Sequence, residues 1–127
     1  INLSFTNYQS QNVLNNENVL LENTIIEISP EIIFLPNYGL DSKNSYLNSL
    51  EIKTNIPIYA TYKFNTFFLK DLNDWKERLD NLEYFYSENC SLFEDFDSYL
   101  FIDYNSLNNC GNLIGKFGEY FLYEKIN

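Results

Sequence analysis

The chain has 127 residues and a formal net charge of −10, with 18 acids against 8 bases, and 45% of it is hydrophobic, including 11 Phe and 11 Tyr. That supplies the core of one domain spanning 1–127, is too short for two well-cored domains, and excludes general disorder. The charge repels nucleic acid and anionic membranes and attracts basic proteins, and the longest apolar runs, such as 32–35, are far short of a membrane span.

Isoleucine as first residue is expected of a chain cut from a longer one. The start Ile1-Asn2-Leu3-Ser4 has neither the basic region nor the apolar stretch of a secretory leader, so a cytoplasmic location is expected. Residues 19–28 and 31–35 are rich in β-branched side chains and read as strands, separated by Ser29-Pro30. Pro36-Asn37-Tyr38-Gly39 is a turn signal and 41–45 continues it as a polar loop. Residues 50–54 and 58–64 alternate apolar with polar, the pattern of strands with one wet face, and Asn55-Ile56-Pro57 turns between them.

The period then changes. Leu72, Trp75, Leu79, Leu82 and Tyr86 recur at spacings of three and four, which predicts a helix over about 71–87 with that stripe in the core. Asp71 and Asp74 suit its N-terminal turn. Residues 90–94 and 99–104 read as strands around a hairpin turn at 95–98. After a polar loop at 105–112, residues 113–117 and 120–125 form either a hairpin or one strand broken at Gly118. The expected class is α+β: a mostly antiparallel sheet with one principal helix packed on one face.

The chemistry available is narrow. Histidine is absent, which removes the commonest general base, the Ser-His and Cys-His nucleophiles and most zinc sites. The four glycines form no phosphate-binding loop, and Asp95-x-Asp97 is not continued as a calcium loop. Cys90 and Cys110 stand outside any C-x-x-C pair and read first as reduced, partly buried thiols; a single bridge joining the ends of a β-hairpin is the other reading. No catalytic residues, metal or cofactor are expected.

Binding is the remaining class. Residues 71–103 hold ten acids against Lys76 and Arg78, eight of the ten net negative charges. Glu77, Asp80, Asn81, Tyr84 and Glu88 project opposite the apolar stripe, and Glu94, Asp95 and Asp97 crowd the following turn. Solvated helix faces usually mix their charges, so a nearly uniform one around a tyrosine suits a cationic cleft. The expected contact residues are Glu77, Asp80, Tyr84, Glu88, Glu94, Asp95 and Asp97; an ordinary solvated face is the competing account.

The layout Phe67-Phe68-Leu69-Lys70-Asp71-Leu72-x-x-Trp75-x-x-x-Leu79-x-x-Leu82, then Leu92, Leu100-Phe101-Ile102 and Gly111-Asn112-Leu113-Ile114-Gly115-Lys116-Phe117, resembles the WapI-type immunity proteins, small bacterial antitoxins encoded beside polymorphic or contact-dependent toxins. The resemblance runs over about 58–118 in loose hydrophobic spacings; Trp75 stands where another aromatic is usual, and the family's closing strand is not seen before Asn127. It implies neutralisation of a cognate toxin by direct binding, and it agrees with the acidity, since many such toxins are basic nucleases; the expected partner is a protein toxin with a basic surface, with no direct nucleic acid and no membrane. The rival readings are a nucleic-acid-mimicking anti-defence protein, with carboxylates spaced along a ridge, and a non-catalytic adaptor subunit, with a large apolar patch in their place.

Overall fold

In the computed structural model, which describes residues 16–36, 46–61 and 72–126, helices lie on both faces of a four-stranded mixed sheet. Helix α1 covers 16–28, β1 is Ile32–Phe34, a 3-10 turn at Leu47–Ser49 runs into the short helix α2 (Leu50–Thr54), and α3 is Leu72–Tyr86. A second 3-10 helix, Cys90–Phe93, leads to β2 (Tyr99–Asp103), β3 (Gly111–Phe117) and β4 (Tyr120–Lys125). The strand order is β1-β2-β4-β3; β1 runs parallel to β2, and the other two pairings are antiparallel. The class is α+β, as expected, but the sheet is mixed and is covered on two sides.

The reason lies in β2. All five of its residues are buried, so alternating side chains feed two cores. Leu100 and Ile102 join Ile33, Leu122 and the α1 residues Leu21 and Ile25 in an aliphatic core that α2 completes with Leu50. Tyr99 and Phe101 join Phe34, Tyr123 and the α3 residues Leu82 and Phe85 in an aromatic one. Phe34 stacks on Phe93 with ring centroids 4.1 Å apart, and Phe101 stacks on Tyr123 at 4.9 Å. Each such side chain contributes about 1.5–3 kcal/mol on burial.

Three expected strands are not strands. Residues 19–28 are helical: Leu21 and Ile25, four apart, are fully buried, while Val19, Leu20 and Ile26 are left about half exposed. Ser29 closes α1 at φ 52°, donating its N–H to Ile25 O, and Pro30 prevents continuation. Residues 50–54 also wind into a helix, burying Leu50 and Thr54 and leaving Ile52 89% exposed; Asn55 caps it in the left-handed region. Of residues 90–94, Cys90–Phe93 form the 3-10 helix that drops Phe93 into the aromatic core, so 95–98 is not a hairpin turn. Of 58–64, Ile58 makes one parallel bridge to Ile33, and 62–64 lie outside the described residues, as do 37–45.

Other expectations hold. Helix α3 lies within one residue of the predicted bounds, and 120–125 pairs with the preceding strand as a hairpin. Gly118 takes φ 64° at the tip, which a residue without Cβ does freely. A one-residue bulge between Leu113 and Gly115 interrupts that pairing.

Candidate acidic interface

Helix α3 is fixed by its inner face. Leu82 and Phe85 are fully buried, whereas Trp75, Leu79 and Tyr86 are half-buried; the side chain of Leu72 lies outside the described residues. Phe85 lies outside the predicted stripe, and Trp75 is not the core residue its spacing suggests. Its indole Nε1 instead donates to Thr61 O at 2.9 Å, holding the rim of the helix to the 58–61 segment. Arg78 Nη1 donates to Tyr59 O at 2.7 Å with its guanidinium over the Tyr59 ring, and Asn81 Nδ2 donates to the Tyr59 hydroxyl at 3.0 Å. Tyr86 donates its hydroxyl to Ile102 O at 2.6 Å.

This anchoring decides the charge of the outer face. Arg78 is turned towards Tyr59 and touches Asp74 at 3.7 Å, so Lys76 is the exposed base of α3. Glu77, Asp80 and Glu83 are exposed, and Tyr84 is 58% exposed among them. Glu88 is exposed too, but it stands beyond the helix end at φ 71°.

Glu94, Asp95 and Asp97 are also exposed, on the turn after the 3-10 helix. Lys125 Nζ holds that turn by donating to Glu94 O and Phe96 O at 3.0 and 2.6 Å, and the Asp97 N–H donates to Glu31 Oε2 at 3.1 Å. The two acidic groups thus flank the 3-10 helix, which packs on α3 through Phe93 and Phe85. Asp103 does not belong with them. It is 5% exposed and accepts from Asn108 Nδ2 at 2.9 Å and from the Asn105 N–H at 3.3 Å, which makes it part of the scaffold.

The two cysteines are joined, contrary to the leading expectation. Cys90 and Cys110 form a disulfide with Cα atoms 5.0 Å apart, linking the 3-10 helix to the start of β3 and not the ends of a hairpin. Spacing alone could not show this, since the pair is brought together by the strand order.

Among the described residues, no group of three His, Cys, Asp or Glu side chains is gathered to hold a metal, and no helix is long and apolar enough to cross a membrane. The chemistry this surface offers is ionic and hydrogen-bonding contact around an exposed aromatic ring. No protein-family model, curated protein or solved structure matches the chain.

Proposed function

We propose that this chain is an immunity-type inhibitor that binds and neutralises a cognate bacterial toxin with a basic surface, without catalysis of its own. The observation that carries the reading is the outer face of α3, where exposed Glu77, Asp80 and Tyr84 stand together while Arg78 is drawn inward. Such a face accelerates encounter with a cationic partner by long-range attraction, and the tyrosine supplies contact area once the partner is seated. The resemblance to the WapI-type immunity proteins points to the same kind of partner.

We place the complex in the bacterial cytoplasm. There the Cys90–Cys110 bond would meet reducing thiols, so its state in the host is itself informative. A mass measurement on protein captured from the host under non-reducing, thiol-trapping conditions reads that state directly.

The test of function begins with capture of the partner from the native host, followed by the charge reversals Glu77→Lys with Asp80→Lys and, separately, Glu94→Lys with Asp95→Lys. The helix pair should weaken binding by about 2–5 kcal/mol, because like charges then meet in the interface. Association should slow by more than about tenfold between low and high salt, with dissociation changing much less. Loss of binding in the turn variant alone would move the site to 94–97. Loss in neither, or association that ignores salt, would remove the acidic surface from the mechanism.

A further inference from the structure

We propose that the Cys90–Cys110 disulfide is a redox-sensitive lock on the segment joining α3 to the aromatic core, so that reduction by a dithiol frees residues 87–92 while the sheet stays folded. The two ends of the bond are held very unequally. Cys110 is 3% exposed, and its N–H donates to Asn108 Oδ1 at 2.8 Å. Gly111 follows in register with Lys125, packed so closely that a Cβ there would stand 2.5 Å from Phe101 Cε1 and 2.8 Å from Glu124 O. That end cannot shift without opening β3.

The other end is loosely held. Tyr86 and buried Phe93 are its flanking anchors, the first through its bond to Ile102 O and the second through its stack on Phe34. Between them Ser87, Glu88, Ser91 and Leu92 are exposed, and Glu88 keeps a left-handed conformation that side chains disfavour. Among the described residues, the segment's hydrogen bonds are local: Ser87 Oγ donates to Glu83 O, Asn89 Nδ2 to Tyr84 O, and the Leu92 N–H to Asn89 O. The cystine ties this stretch to the sheet.

Exposure also sets the direction of attack. A thiolate of the dithiol reaches Sγ of half-exposed Cys90, the S–S bond breaks, and the electron pair leaves on Cys110 Sγ, which takes up a proton. The second thiolate of the reductant then displaces Cys90 from the mixed disulfide. The dithiol ends as a disulfide and both cysteines end as thiols. Glu88 lies on the freed stretch, so on the acidic-interface reading the lock also controls one contact; that consequence rests on the reading, and the lock does not.

Hydrogen exchange followed by mass spectrometry, on the full chain before and after dithiothreitol, tests the lock. Amides in 87–92 should exchange at least about tenfold faster after reduction, while β2 and β4 keep their protection. Glutathione, used in place of the dithiol, should be trapped on Cys90. Unchanged exchange, loss of protection across the whole sheet, or glutathione on Cys110 would each overturn the proposal. The variant Cys90→Ser with Cys110→Ser should reproduce the reduced pattern, and if it does not fold, the reduced native chain decides. Poly-L-lysine serves as a cationic probe: faster exchange with unchanged polylysine binding supports the lock and counts only against Glu88 as a contact.

Discussion

Glu88 is held in a place that physical chemistry disfavours twice. Its φ of 71° is a conformation in which glycine is the ordinary occupant after a helix, and its carboxylate follows the C-terminal end of α3, where the helix dipole is negative. Glu88→Gly should therefore raise the stability of the isolated protein by about 0.5–1 kcal/mol, read from denaturant midpoints at constant slope. A loss of stability would mean that the carboxylate holds the turn. Asp103 shows the opposite case. Its charge counted towards the acidic window in the sequence, yet two hydrogen bonds from the 105–108 loop account for its burial. Residue type alone cannot distinguish an exposed carboxylate from a satisfied buried one.

At the scale of elements, α3 is the clearest match between pattern and outcome in its bounds, because apolar residues at spacings of three and four call for a helix, although the face it buries turns towards Leu82 and Phe85. Its outer face carries like charges one turn apart, such as Glu77 with Asp80 and Asp80 with Glu83. Reversing Glu77 and Asp80 to Lys keeps those two alike and adds Lys76 as a like neighbour, but turns the pairings with Asp74 and Glu83 into attractions, so folding stability should stay unchanged within about 0.5 kcal/mol. Thermal melts of the free variant check this; a fall of more than about 1 kcal/mol would show that these carboxylates are structural. Two of the three misread elements share a cause. In 19–28 and 50–54 the apolar residues satisfy both a two-residue and a four-residue repeat, so which pair is buried depends on what lies beneath.

For the whole molecule, buried phenols set the alkaline limit of stability. Burial pushes Tyr46, Tyr99, Tyr120 and Tyr123 above the ordinary 10.0, and the hydrogen bond of Tyr46 to Glu22 and the charge of Glu119 near Tyr120 raise those two further. The unfolded chain then loses these protons first as pH rises. Their contribution is fully present below about pH 10 and is lost as pH climbs from there towards the folded values. Melting temperature should stay level across about pH 7–9 and fall steeply above about pH 10. A melting temperature that held to about pH 12 would show that these hydroxyls ionise as easily folded as unfolded.

Some of this protein was determined by the sequence alone, because the causes are local. The surplus of carboxylates has to be mostly at the surface, since unpaired charges are expensive to bury. The spacing of Leu79, Leu82 and Tyr86 calls for a helix, and Gly118 between two apolar runs permits a tight hairpin. Only the tertiary structure decided the rest. Helices cover both faces because the side chains of β2 alternate into two cores, one closed by α1 and the other by α3. The strand order carries Cys110 back beside Cys90 across 20 residues, and it draws the segment that holds Tyr59 alongside β1, where Arg78 can turn away from the acidic face. These are long-range pairings, and nothing in the spacing of neighbouring residues encodes which partners will meet.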